Sequence, residues 1–157
     1  GQTRATFPVD PLRLATGTVA GTIRVRMTTN PGAATPPAET VVTIPRAAPV
    51  ITAGTAQLGS GAFTLVIDGY SNTREIASAT FRLTPVAGAT LTATEVQVPV
   101  AAAYTAWYQS AASVPFGGLF RLTMPFNVAG SVGDIESVIV TVTNTVGASQ
   151  PFTVRLR

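Results

Sequence analysis

Hydrophobic and polar residues alternate along much of the chain. This pattern predicts β-strands, because successive side chains of a strand point to opposite faces of the sheet. The longest alternating run covers residues 18–28, and residues 119–126, 137–143 and 152–157 repeat the pattern. One face of the first run consists of Val19, Gly21, Ile23, Val25 and Met27. The chain is therefore predicted to be all-β.

Turn-forming residues separate the predicted strands. Leu58–Gly61 lies between an extended run that ends near Ala56 and a second run over Ala62–Ile67, which predicts a β-hairpin. Asp68 and Gly69 are predicted to end the second strand of this hairpin. Only two short stretches are predicted to be helical: residues 99–109 and 134–136.

The strands fall into two segments, residues 1–47 and residues 48–157. The first contains about three predicted strands: Ala5–Val9, Thr18–Thr28 and Thr40–Ile44. Pro45–Pro49 reads as a linker. The second segment holds about seven strands in roughly 110 residues, the size of an immunoglobulin-like antiparallel β-sandwich. The predicted architecture is such a sandwich, preceded by the strands of an incomplete or complemented second β-domain.

The first segment is predicted to need a partner. Three strands with one apolar face do not bury that face on their own, because so small a sheet is only marginally stable. Three partners would cover the apolar face of this segment: upstream sequence, a neighbouring molecule that donates a strand, or the sandwich of the same chain, onto which the strands fold back. The sequence leaves these three alternatives open. The candidate residues of an assembly surface are Val19, Ile23, Val25, Met27, Val42 and Ile44.

Composition narrows the classes of function. Charged residues make up only 11% of the chain, against roughly 25% in soluble domains. Cysteine, histidine and lysine are all absent, which excludes disulfides, Cys/His zinc sites, Ser-His-Asp triads and Schiff-base chemistry. The arginines form no basic patch for nucleic acid, and no hydrophobic run approaches the ~20 residues of a membrane helix. We therefore expect a protein that is not an enzyme and has no cofactor, with no nucleic-acid partner and no membrane insertion.

The acidic residues do not predict a catalytic or metal site. Asp68 and Glu75 lie near one predicted loop, and Asp134 and Glu136 lie in another. A glycosidase needs two carboxylates that converge across a cleft, and neither pair has a supporting acid/base signature. Two carboxylates also fall short of the six to eight oxygen ligands that calcium takes. Solvated loop charge is the favoured interpretation.

Tyr104, Trp107 and Tyr108 form the densest aromatic group. If exposed, these rings would stack against sugars, as in carbohydrate-binding modules. A single tryptophan in a sandwich is also common in the core, so the sequence leaves burial and a sugar platform as alternatives, with burial favoured.

The chain resembles the immunoglobulin-like and fibronectin type III-like modules of large secreted bacterial surface proteins. The stretches that carry the resemblance are Thr16–Val25, Ile44–Ile51, Phe63–Pro85, Tyr104–Ser110 and Val138–Ser149. The resemblance implies a β-sandwich and a spacing, adhesive or anchoring role at the bacterial cell surface. Expected partners are other copies of the chain, adjacent domains of a longer chain, or a surface polysaccharide. Since the chain begins at Gly1 without an initiator methionine, a processed form or a fragment is expected.

Overall fold

A computed structural model describes residues 15–27 and 39–156, and every structural statement below refers to them. The predicted strand Ala5–Val9 and the proline-rich stretch 30–37 lie outside this part of the chain. The strands are β1 (Gly21–Arg26), β2 (Glu39–Ile44), β3 (Val50–Gly59), β4 (Ala62–Tyr70), β5 (Ser78–Pro85), β6 (Glu95–Pro99), β7 (Leu119–Asn127), β8 (Ile135–Thr143) and β9 (Phe152–Arg155). One α-helix, α1 (Ala101–Gln109), and two 3-10 helices, Ala111–Phe116 and Val132–Asp134, join them.

All strand pairs are antiparallel, which confirms the prediction of an all-β antiparallel protein. The strands form three sheets, in the orders β1-β2, β3-β4-β7 and β6-β5-β8-β9. We call β3 to β9 with their connections, residues 50–156, the body. The two larger sheets of the body pack against each other, since the ring of Phe81 on β5 meets that of Phe126 on β7 edge-on at 5.0 Å.

The core lies between these two sheets and follows the alternation of the sequence. On β4 every second side chain is buried, and β8 does the same from Val138 onward. The largest fully buried side chains are Phe63, Phe81, Leu65, Ile67, Ile135, Val138, Val140 and Val142. At one position the sheets come so close that a glycine is required. A Cβ at Gly54 would lie 2.7 Å from a methyl group of Val154.

The predicted hairpin is present, because β3 and β4 pair up to Gly59 and Ala62 around a two-residue turn. The prediction that Asp68 and Gly69 end the second strand is wrong, since β4 continues to Tyr70. Gly69 lies within the strand and allows close packing there; it does not form a turn. A Cβ there would clash with the backbone carbonyl oxygen of Val50 and would also lie 2.7 Å from the ring of Phe120.

The stretch 99–109, predicted to hold a short helical turn, forms helix α1 between β6 and β7. Each of these two strands is the last in its sheet, so α1 runs along the open side of the body. Tyr104 and Tyr108, one turn apart on the helix, are both buried. The turn predicted at 134–136 lies slightly earlier, over Val132–Asp134, and β8 begins at Ile135.

Arg74 ties the loop before β5 to the segment after α1. Its guanidinium donates to the backbone carbonyl of Tyr108, to Oγ of the buried Ser113 at 2.8 Å and to the carbonyl of Gly117 at 3.1 Å. The same group lies 5.2 Å from the centre of the Tyr108 ring. Arg74 has a backbone φ of 55°, a conformation that costs free energy for a residue with a side chain. These contacts offset that cost.

Replacing Phe81 by alanine is expected to lower the free energy of unfolding by about 3–5 kcal/mol, because the ring is fully buried between the sheets. Phe116→Ala is the matched control. Its ring is 51% exposed, so the loss should be about 0.5 kcal/mol. Urea unfolding followed by circular dichroism measures both. Equal losses would contradict the assigned core.

Candidate functional site

Strands β1 and β2 form a separate two-stranded sheet, which we call the arm. Its register pairs Gly21 with Ile44, Ile23 with Val42 and Val25 with Thr40. Directly opposed residues of an antiparallel pair point to the same face. Four of the six residues predicted as an assembly surface therefore share one face of the arm, which we call the apolar face: Ile23, Val25, Val42 and Ile44. The other two lie beside the arm, with Val19 just before β1 and Met27 just after it.

The apolar face is open to solvent. Val25 is 45% exposed and Val42 39% exposed, while Ile23 and Ile44 are half-buried. No residue of the arm is buried, and within the described residues neither β1 nor β2 pairs with a strand of the body. Isolated two-stranded sheets are marginally stable in water. Since no described strand pairs with either outer edge of the arm and its two valines remain exposed, the described residues leave the apolar face and both edges available for binding.

The opposite face of the arm is mostly polar. Thr22 and Thr43 lie opposite each other there, and the guanidinium of Arg24 lies 2.7 Å from the carboxylate of Glu39. Both side chains of this ion pair are exposed, so it contributes little to stability. Arg26, at the outer end of β1, is in no ion pair among the described residues.

Asn72 fixes the base of the arm to the body. Its backbone carbonyl accepts from the N–H of Ala20, just before β1, at 2.8 Å. Its side-chain amide donates to the carbonyl of Pro45, just after β2, at 2.8 Å. Its side-chain oxygen accepts from the N–H of Ala47 at 2.9 Å. One residue thus holds both strands of the arm where they leave the body.

Further hydrogen bonds hold the stretch Pro45–Pro49, which the sequence predicts to be a linker. The side chain of Asn144 donates to the carbonyl of Ala47 at 2.8 Å. Arg46 lies 3.1 Å from the carboxylate of Glu75 and donates to the hydroxyl of Thr145 at 2.8 Å. We call Asn72, Asn144 and the Arg46–Glu75–Thr145 group the clamp. Because of the clamp, the arm is attached to the body at a defined place.

The three aromatic candidates do not share one exposed surface. Tyr104 and Tyr108 are each 6% exposed, and their hydroxyls donate to the carbonyls of Arg121 at 3.2 Å and Gly118 at 3.0 Å. Burial raises the pKa of Tyr108 to about 12 and also raises the pKa of Tyr104. Trp107 is half-buried and reaches the surface, where it lines grooves of about 550 and 440 Å³ on its two sides.

The acidic candidates lie apart, and two of them pair with arginines. Arg121 donates twice to Asp68, at 2.7 and 2.9 Å, and this pairing lowers the pKa of the Asp68 carboxyl. Glu75 pairs with Arg46 in the clamp. Within residues 15–27 and 39–156, no three acidic, histidine or cysteine side chains come together in a way that would bind a metal ion.

The clamp residues were not predicted from the sequence. Asn72 and Asn144 lie in loops, where no periodic pattern marks a residue that bonds to distant backbone. No helix in the described part of the chain is long and apolar enough to cross a membrane. Comparison with protein-family models, with curated proteins and with solved structures finds no match to this chain.

Asn72→Ala is expected to loosen the arm while leaving the body intact, because it removes two hydrogen bonds at the arm's base, worth about 0.5–1.5 kcal/mol each. Hydrogen exchange followed by mass spectrometry should show faster exchange in peptides over 18–27 and 39–48. Asn127→Ala, at an exposed asparagine of β7, is the control. Unchanged exchange in Asn72→Ala would rule out the assigned role of this residue.

Stability should fall as the pH rises from about 10 to about 12. Burial raises the pKa of Tyr108 from 10.0 to about 12, so the folded protein holds this proton where the unfolded chain releases it. The contribution of the Tyr108 proton to the free energy of unfolding is complete below pH 10 and is lost as the pH approaches 12. Urea unfolding at pH 8 and pH 10.5 measures the loss, which should be smaller in Tyr108→Phe. An equal loss in both proteins would contradict the assignment.

Proposed function

We propose that the chain is a non-catalytic structural protein of the bacterial cell surface, an immunoglobulin-like module that builds or anchors an assembly through its arm. The observation that carries this proposal is the open apolar face of β1 and β2. The clamp holds a sheet with unused binding capacity at one place on an otherwise well-packed body. A filament joined by strand complementation is the specific form that we favour.

The strand order of the body supports an immunoglobulin-like fold. When β3, β4, β5, β7, β8 and β9 are labelled A, B, C, E, F and G, strands A, B and E form one sheet and strands C, F and G the other. β6 takes the position of C′ beside C. This distribution resembles that of immunoglobulin-like sandwiches, which include cell-surface modules, although no described strand takes the position of D. Fold alone does not assign function, so the proposal depends on the arm.

Energetics favour strand pairing over simple packing of the apolar face. Complete burial of a valine or isoleucine side chain contributes about 1.5–3 kcal/mol. Val25 and Val42 retain 45% and 39% of their exposure, so covering each of them contributes roughly 1 kcal/mol. A few such contacts do not offset the loss of translational and rotational freedom on association, which costs about 4–15 kcal/mol. Backbone hydrogen bonds along an outer edge of β1 or β2 would add to them.

Carbohydrate binding is the second candidate, and Trp107 is the observation that favours it. This ring and the 51% exposed ring of Phe116 lie 5.9 Å apart beside the surface grooves, and the Asp68–Arg121 pair supplies polar groups there. The two ring planes are inclined by 45°, so they do not form the flat platform that stacks on a sugar. The arm therefore carries the stronger argument.

Ile23→Asp or Val25→Asp is expected to abolish assembly and leave residues 50–157 folded, because each places a charge in the apolar face. Thr22→Asp is the matched control, since Thr22 lies on the opposite face, and it should assemble normally. Analytical ultracentrifugation and electron microscopy report the assembly, and circular dichroism reports the fold. Intact assembly of either apolar-face variant, or a monomeric wild type at all concentrations, would contradict the proposal.

A further inference from the structure

The body has two ends, and the arm is attached to one of them. Val50, Tyr70 and Leu119 lie side by side at the upper end, where the clamp holds the arm. The strands run from there to the lower end, where Gly59 and Asn127 each lie opposite Ala62. The upper end therefore carries an unpartnered sheet.

The lower end carries a cleft between the two sheets. The cleft has a volume of about 260 Å³. Its floor includes the stacked rings of Phe63 and Phe126, whose centres are 4.9 Å apart, and the side chain of Leu83. Asp134 lies among its lining residues and is exposed. The space is too small for a strand, but it accepts one or two apolar side chains beside an anionic group.

The charges of the arm and of the cleft are complementary. Among the described carboxylates, only those of Asp134 and Glu136 are in no ion pair. The outer end of the arm presents Arg26, which forms no ion pair with another described residue, next to Met27, which is 45% exposed. Arg155 likewise forms no ion pair within the described part of the chain, but it does not line the cleft. The end of the arm thus offers the cation and the apolar side chain that match the cleft.

The arm does not reach the cleft of its own body. β3 spans the body with ten residues, a length of about 33 Å at ~3.3 Å per residue. The six residues of β1 extend only about 20 Å from the base that the clamp holds at the upper end. Arg26 and Met27 therefore do not reach the cleft of their own molecule, whereas those of a second copy can.

We infer that the lower-end cleft of one copy receives the end of the arm of a second copy. Met27 enters the apolar floor and Arg26 lies beside Asp134. The inference rests on the arm-mediated assembly of the proposed function. It adds an acceptor for the side chains at the end of the arm, and this contact is separate from the strand pairing proposed for the arm's outer edges. The contact joins two different surfaces of the same chain, so it is heterologous and repeats from copy to copy into a filament unless the rotation closes a ring.

A charge exchange tests this pairing. Arg26→Glu and Asp134→Arg should each weaken assembly by at least about tenfold, because each places like charges together in the contact. The double variant Arg26→Glu/Asp134→Arg should recover most of the wild-type affinity. Arg155→Glu is the control and should assemble as the wild type does. Sedimentation at a series of concentrations gives the affinities, and circular dichroism verifies the fold of each variant.

Cross-linking provides a second readout, because the chain has no cysteine of its own. The variant Met27→Cys is mixed with a second variant, Ala129→Cys, in which the cysteine lines the cleft. Oxidation of this mixture should give a covalent dimer. Wild-type assembly of both single charge variants, or no dimer from the cysteine mixture, would overturn the inference. If Ile23→Asp still abolished assembly in that case, the proposed function would stand with another acceptor. A wild type that never assembles would overturn both.

Discussion

A small β-sheet is stable only when its apolar face is buried, and each strand at its edge presents unpaired backbone N–H and C=O groups to any further strand. The body buries its apolar faces within itself, and one of its edge strands, β7, is also protected. Its two sheets bury their apolar faces against each other, and α1 runs beside β7 on the open side. Pro125 lies on that edge strand and lacks a backbone N–H. The hydroxyl of Tyr104 donates a hydrogen bond to the carbonyl of Arg121 on the same strand. These features leave β7 poorly suited to accept another strand.

In the arm, β1 and β2 pair only with each other among the described residues and their apolar face is not buried, and this difference organises the molecule. The same alternation that buries Phe63, Leu65 and Ile67 on β4 leaves Val25 and Val42 at the surface of the arm. The arm and the body do not differ in their sequence pattern. They differ in the number of described strands that are available to cover the apolar face. The four ion pairs do not replace the missing core, since all their side chains are substantially exposed.

Local periodicity made the strands predictable. It predicted the all-β class, the buried positions of β8 and the shared face of Ile23 and Val42, and the turn-forming residues 58–61 predicted the hairpin. The predicted end of β4 is wrong, because Asp68 and Gly69 form a turn signal in the sequence. The groups that require a glycine at position 69, the carbonyl of Val50 and the ring of Phe120, are distant in sequence. The clamp was missed for a similar reason. The bonds of Asn72 to Pro45 and Ala47 depend on three-dimensional proximity and have no period in the sequence.

The position of the two body ends also determines how the molecule would carry tension. The chain enters β3 at the upper end and leaves β9 at the lower end, where Leu156 bonds to the carbonyl of Glu136. A pull on the ends of the body therefore acts along the strands. It loads the hydrogen bonds between β3 and β4, and between β9 and β8, together in shear instead of opening them one at a time. A force arriving through the arm passes first through the Asn72 and Asn144 bonds, so the clamp would yield before the sheets of the body do.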